Sequence, residues 1–376
     1  MIYLDNAATT FPKPASVYEE MSRCIQKYCG NPGRSAHKLS QKSSEKIFEC
    51  RTLLADMFNT DVENVVFTYN TTYALNIAIK AFAVKNSHIL ISDIEHNSVL
   101  RPVYALKKDF NCSYSTFSSS GTDDEILSDI FANIRANTSL LICTHKSNVG
   151  SRQLPIEKIG RLCREKNIKF IVDGAQSAGL YKIDVKNMSI DALCIPGHKS
   201  LYGPQGVGSI IFGDTEIGRT FIEGGTGINS LEFEMPDFLP ERYEGGTLST
   251  PSIVGLAEGI KWLNKLGIDK VRMHEEGLYT LLKELLNSND SIITYEMNSY
   301  AGNALLFNLN SLSSAHVASE LNKRDIYVRS GFQCSPLAHK LLNTGNGGAV
   351  RVSFSVFNTQ KDVYSLYDAL CEILKA

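Results

Sequence analysis

Six short apolar runs recur between helix-period stretches from about residue 47 to 270: "VVFTY" at 65, "HILIS" at 88, "SLLICTH" at 139, "KFIVDG" at 169, "DALCIPG" at 191 and "VGSIIFG" at 207. Runs this short and this continuously apolar suit strands buried on both faces. Separated by helices, they predict an α/β fold with a mainly parallel sheet covered by helices. In such sheets reactive groups gather beyond the carboxyl ends of the strands. The residues after the runs are of that kind: Asn70-Thr71-Thr72, Glu95-His96-Asn97, His145-Lys146-Ser147-Asn148, Asp173-Gly174-Ala175-Gln176 and His198-Lys199.

From roughly residue 270 the pattern becomes helix, strands, helix, strand, helix, a smaller α+β unit. The expected division is a large domain over 15–260 and a small one built from 1–14 and 261–376. The polar stretch "STFSSSGTDDE" at 115–125 reads as a loop before a helix capped by Thr122 or Asp123, and Thr250-Pro251 reads as the cap and first turn of another. With 376 residues, 43% of them hydrophobic, 21% charged and a net charge of −2, the chain reads as an ordinary folded protein rather than a nucleic-acid or membrane-surface binder. The start "MIYLDNAATT" lacks a basic or apolar leader, and no run approaches the ~18 apolar residues of a membrane span, so the expected location is the cytoplasm. Nine cysteines, at 24, 29, 50, 112, 143, 163, 194, 334 and 371, are odd in number and without CxxC spacing. They speak against a disulfide framework or a zinc ribbon, and no metal is expected.

The stretch "CIPGHKSLYGPQGVGSIIFG" sets Lys199 among glycines. A Walker loop requires glycine directly before the lysine, whereas His198 stands there and alanine occupies position 192, where the first glycine belongs. Two readings remain: a solvated lysine in a turn, or a lysine whose amine is tuned by desolvation and neighbouring charges to form an imine. Asp173, at the end of an apolar run, is able to cap a helix or to pair with the protonated ring nitrogen that a pyridoxal phosphate site presents. Thr71 and Thr72 open a helix and offer hydroxyls and backbone N–H groups to a phosphate, although threonine is also a routine cap. His96 is placed to stack on a flat ring, or simply to be hydrogen-bonded.

Taken together, "YLDNAATT", "SAHKLS", "FTYNTTYALNIA", "IEHNSV", "THKSNVGS", "VDGAQSAG", "PGHKSLYGPQGVG", "YEGGTLSTPS", "VRSGFQCSP" and "VRVSFSVFNT" resemble, in order and over nearly the whole chain, the class V aminotransferase family, and within it the cysteine desulfurases. The resemblance implies the fold-type I architecture, a mainly parallel seven-stranded sheet with a smaller α+β C-terminal domain, and pyridoxal 5'-phosphate as cofactor. It implies that Lys199 holds the cofactor covalently, that His96 stacks on its ring, that Asp173 pairs with the ring nitrogen and that Gln176 contacts the ring hydroxyl. Thr71, Thr72 and His198 would hold the phosphate, with Asn148 near the ring or substrate. Thr247, in "GGT", would reach the phosphate of a second subunit, which implies a homodimer with composite sites. Arg351 would bind the substrate carboxylate as a fork, with Asn148, His37 and Arg329 also around the substrate.

Cys334 in "RSGFQCSPLAHK" falls at the position of the desulfurase nucleophile, between Arg329 and Arg351, whose charges favour a thiolate. The short spacing between those arginines resembles the short-loop, SufS-like group, which includes selenocysteine lyases and passes sulfur to a dedicated protein acceptor. Three positions depart from the pattern. Pro196 replaces a phosphate-binding serine, Phe332-Gln333 replaces a His-His pair, and Asn70 replaces a glycine. The resulting expectation is an enzyme that converts L-cysteine to L-alanine with a persulfide on Cys334. Its rivals are selenocysteine lyase chemistry on L-selenocysteine at the same site, a sulfur-relay protein that binds the cofactor without turnover, and a nucleotide-binding α/β module.

Overall fold

A computed structural model describes residues 1–33, 35–297 and 302–375. The chain opens with strand β1 (Ile2–Tyr3) and helices α1 (Ala15–Lys27) and α2 (Lys38–Phe58). An alternating region follows: β2 (Val65–Thr68), α3 (Thr71–Phe82), β3 (His88–Ser92), α4 (Asn97–Asp109), β4 (Ser113–Phe117), α5 (Asp123–Asn133) and β5 (Thr138–Thr144). It continues through α6 (Ile156–Glu165), β6 (Lys169–Asp173), β7 (Ala192–Pro196) and β8 (Gly208–Phe212). Helices α7 (Thr250–Leu266) and α8 (Ile268–Asn287) lead into β9 (Ile292–Tyr295), β10 (Ala304–Leu309), α9 (Ser314–Asn322) and β11 (Ile326–Tyr327). The chain ends with α10 (Pro336–Leu341), β12 (Val350–Ser353) and α11 (Gln360–Ile373).

Seven strands form one sheet in the order β2-β8-β7-β6-β5-β3-β4, in which β8 alone runs against its neighbours. Its central strands are apolar on both faces because both faces are covered. Leu141, Cys143, Phe170, Val172, Leu193 and Ile195 pack towards α2, α6 and α7, while Leu140, Ile142, Ile171 and Cys194 pack towards α3 and α4. The chain steps from β3 outward to β4 and then returns to place β5 on the other side of β3. That reversal opens a crevice beyond the carboxyl ends of β3 and β5, the place where such sheets receive ligands.

One expected loop proves to be partly strand. Residues 113–117 form β4, paired with β3 at the sheet edge, and their polar sequence "SYSTF" reflects a strand with little of its surface buried. Thr122 caps α5 in a capping box with Glu125. For α7 the cap position falls on Ser249, with Thr250 already helical.

In the C-terminal part, α8, α9 and α11 bury their apolar faces against the antiparallel sheet β12-β10-β9. β1 pairs in parallel with β11, so the chain's first residues join this part of the molecule. Among the described residues no helix is long and apolar enough to cross a membrane.

Residues 213–249, between β8 and α7, contain neither helix nor strand, and Leu231 and Phe233 on this excursion are almost fully exposed. Its far end is fastened by Glu244, whose two carboxylate oxygens each accept from Arg51 at 2.9 Å while Oε1 also accepts from the Phe67 backbone N–H at 2.6 Å. Both side chains are over nine-tenths buried, so removing one partner strands a desolvated charge. Glu244→Ala is expected to cost about 3–5 kcal/mol, seen as a lower urea midpoint with an unchanged slope. Replacing both partners with methionine is expected to recover most of that loss.

Candidate active site

Beyond the carboxyl ends of β3, β5, β6 and β7 lies a cavity of about 190 Å³ whose walls include His96, Asn148, Asp173, His198, Lys199 and Arg351. Thr71, Thr72, Gln176 and Arg329 complete the set that the structure brings together there. A larger cavity, of about 610 Å³, opens under residues 220–242, but its walls are exposed loop and hold no lysine.

Asp173 ends β6 and is 3% exposed, and its carboxylate Oδ1 accepts from the Ala175 N–H at 2.9 Å. Burial raises its pKa, opposed by that hydrogen bond and by the charge of Lys199. Lys199 is pushed down to about 8, chiefly by burial and further by Arg351 and Arg329, against the pull of Asp173 and Asp5. A desolvated lysine facing a buried carboxylate is suited to reacting as a free amine near neutrality.

The backbone at this lysine is held from the chain's N-terminal segment. The His198 carbonyl accepts from the Thr10 N–H at 3.1 Å, Thr9 Oγ1 at 3.1 Å, Thr10 Oγ1 at 3.3 Å and Lys13 Nζ at 2.7 Å. Gln176 Nε2 donates to the Ala7 carbonyl of the same segment at 3.0 Å.

His96 caps α4, and its Nδ1 accepts from the Ser98 N–H at 3.0 Å, which leaves the proton on Nε2. Burial, reinforced by Lys199 and the nearby arginines, lowers its pKa to about 4, so the ring is a neutral, flat surface on the cavity wall. Ser98 Oγ lies 2.8 Å from Thr72 Oγ1, linking this cap to the start of α3. There Asn70 accepts from the Tyr73 N–H at 3.1 Å, so the residue that departs from glycine acts as the helix cap. Thr71 Oγ1 and His198 Nδ1 are buried with no hydrogen-bond partner among the described residues, and both residues line this cavity. Two orphaned polar atoms beside a helix N-terminus suit an anionic group. Pro196 is the last residue of β7 and lies opposite Gly208 of β8. Pairing of β7 with β6 ends at Cys194, whose carbonyl accepts from the Gly174 N–H at 2.9 Å, so residue 196 owes no donor to β6.

Cys334 is exposed on a loop whose two neighbours are not. Gln333 and Ser335 are 3% and 0% exposed, and both Gln333 and Cys334 have positive φ, 41° and 59°. Asn148 was expected near a ring or substrate; it lines the cavity, but its amide is engaged with this loop. Nδ2 donates to the Gln333 carbonyl at 2.8 Å and Oδ1 accepts from Ser335 Oγ at 2.6 Å. Gln333 donates to the Ala349 carbonyl at 3.0 Å, and its Oε1 meets His339 Nε2 at 2.7 Å. The departure at 333 is therefore a latch. The Asn97 N–H, at the start of α4, donates to the Cys334 carbonyl at 2.8 Å. Arg329 Nη2 lies 4.0 Å from Cys334 Sγ.

Arg351 is 1% exposed. Nη2 donates to Asp5 Oδ1 at 2.7 Å, Nη1 to the Asn148 carbonyl at 3.3 Å, and Nε is buried without a partner among the described residues. Cys334 does not line this cavity, although its neighbour Gln333 does, and two further expected residues stand apart from it. His37 caps α2 on the surface, where Nδ1 accepts from the Ser40 N–H at 3.2 Å, and Thr247 lines crevices beside the 213–249 excursion. Sequence reasoning gave no role to Asp5, Ser98, Lys13 or Ser335. Asp5 and Lys13 lie in or beside the quoted "YLDNAATT" segment, but nothing in their spacing announces a partner hundreds of residues away. Six cysteines (24, 50, 112, 143, 163 and 194) are buried, and burial pushes the thiols of Cys50, Cys143, Cys163 and Cys194 up.

With an amine at about 8, the free fraction of Lys199 is about a half at pH 8 and about a tenth at pH 7. Its reaction with a small aromatic aldehyde, trapped by borohydride and mapped by peptide mass, is expected to rise with pH and level off above pH 8. Surface lysines should still be rising there. Asn148→Ala leaves the buried Ser335 hydroxyl without its acceptor, at an expected cost of about 1–3 kcal/mol in thermal unfolding.

The class-V aminotransferase family model matches residues 2–366. A Pyrococcus abyssi protein named "Probable cysteine desulfurase" is 33% identical, over 100% of this chain and 95% of its own length. A Methanothermobacter thermautotrophicus protein of the same name is 30% identical, over 99% and 94%. Among solved structures, the apo cysteine desulfurase of Thermococcus onnurineus superposes with a TM-score of 0.89 at 30% identity, covering 100% of this chain and 94% of that one.

Proposed function

The chain belongs to the class-V aminotransferase family, and on that premise we propose that it is a pyridoxal-phosphate-dependent cysteine desulfurase. It takes L-cysteine to L-alanine and leaves the sulfur as a persulfide on Cys334. The observation that carries this reading is the pairing of a buried Lys199–Asp173 site with an exposed cysteine whose flanking residues are fixed to the cavity wall by Asn148.

The cavity fits the cofactor. Asp173 would face the ring nitrogen and His96 the ring. Thr71 Oγ1, His198 Nδ1 and the N–H groups of α3 would hold the phosphate, and Gln176 would lie by the ring hydroxyl. Pyridoxal phosphate, when bound, supplies an aldehyde for Lys199 and an electron sink for charge developing at the substrate's α-carbon. Arg351 receives the substrate carboxylate on its unengaged Nε edge, with Arg329 close by. Lys199 Nζ, its pKa near 8, takes the α-proton and returns one. Cys334 Sγ attacks the substrate sulfur. The S–S bond forms, the substrate Cβ–S bond breaks with its electron pair left on carbon, and protonation at Cβ gives alanine.

Cys334 then presents the outer sulfur to solvent, where a protein acceptor would collect it. Thr247, outside its own chain's cavity, would serve the phosphate of a second copy in a homodimer with composite sites, and His37 would reach substrate in the same way.

Mass analysis after addition of L-cysteine is expected to find one extra sulfur on the peptide containing Cys334. Cys334→Ser should reduce alanine formation by several orders of magnitude, up to about a millionfold, the scale for loss of a covalent nucleophile. Full alanine production in that variant would sink the mechanism, and Lys199→Ala should lose the yellow, borohydride-sensitive colour.

A further inference from the structure

The guanidinium expected to receive the substrate carboxylate already holds one. Arg351 is 1% exposed, so its charge has almost no water, and Asp5 Oδ1 at 2.7 Å is its salt-bridge partner. Asp5 is held in place by the backbone. The Ser353 N–H donates to the Leu4 carbonyl at 2.7 Å, and residues 5 and 353 form a parallel bridge. Asp5 retains 22% side-chain exposure towards the solvent side while Arg351 lines the cavity. The guanidinium thus divides its edges, with Nη2 on Asp5, Nη1 on the Asn148 carbonyl and Nε buried without a partner among the described residues.

We propose that Asp5 is a positioning residue that sets carboxylate affinity: it is the resident counter-ion of Arg351, and each incoming carboxylate must share the guanidinium with it. The proposal rests on the reading that Arg351 binds the substrate carboxylate. A buried guanidinium without an anion is costly, and the paired one stays charged and aimed while no substrate is present. The second carboxylate meets the like charge of Asp5, so substrate and product amino acids are both held loosely. Alanine, which carries the same carboxylate as cysteine, then leaves without stalling the site. The charge of Asp5 also reaches Lys199, whose amine it pulls up against the two arginines.

The test is calorimetric titration of the cofactor-loaded protein with propionate, alongside steady-state kinetics with L-cysteine. Asp5→Asn keeps an oxygen for Nη2 and removes the charge. It is expected to tighten propionate about tenfold and to lower KM for cysteine in parallel, with the change falling on KM rather than kcat. Asp5→Ser, which is smaller and keeps a hydroxyl, should move both constants in the same direction and serves if the asparagine variant fails to fold. Unchanged or weakened propionate binding in these variants would mean that Asp5 only braces Arg351, and would overturn the proposal. Arg351→Gln is the control on the premise. If it leaves propionate binding intact, the carboxylate site lies elsewhere, a failure separate from that of Asp5 and readable whether or not cysteine is turned over.

Discussion

Taking a lysine and an aspartate out of water at the ends of adjacent strands is the constraint around which this molecule is organised. Neither charge is tolerable there alone. Desolvation drives Lys199 towards its neutral amine and Asp173 towards its acid, and each partly offsets the other. The parallel sheet makes such a meeting possible because β6 and β7 end side by side with their carboxyl ends open to the same crevice. The cavity walls then consist of groups that cope with burial in different ways. His96 becomes neutral, Arg351 takes a carboxylate partner, and Thr71 and His198 are left with unfilled hydrogen-bonding capacity.

The N-terminal segment holds this arrangement in register. Within a few residues it fastens Arg351 through Asp5, Gln176 through Ala7 and the backbone before Lys199 through Thr9, Thr10 and Lys13. Its first strand belongs to the C-terminal part of the fold, while its later contacts are with the large sheet. One short piece of chain therefore ties the Arg351 guanidinium and the backbone before Lys199 to each other.

The sequence makes the sheet legible because buried parallel strands are apolar throughout, and six runs announce themselves in that way. β4 escapes because an edge strand with the sequence "SYSTF" buries too little to need an apolar pattern. Lys199, Asp173 and His96 are legible through their position just past those runs. The roles of Gln333, Asp5 and the Arg51–Glu244 pair are not, since each depends on contacts that only folding creates. Gln333 looks like a missing histidine in the sequence, yet in space it is hydrogen-bonded to the His339 ring that locks the loop. Pro196 looks like a defect, yet it lies beyond the last β6–β7 pair while keeping its place opposite Gly208 of β8.

The distribution of thiols has a consequence for where sulfane sulfur is able to travel. Persulfides spread by exchange with accessible thiolates, and six of the cysteines are buried in packed surroundings that disfavour ionisation where their thiols are perturbed. On the proposed function, sulfur carried by Cys334 would find no relay through these six buried thiols. The thiols left open to exchange with Cys334 would be the exposed Cys29 and the partly exposed Cys371, so an acceptor that docks at Cys334 would meet no competition from the six buried ones.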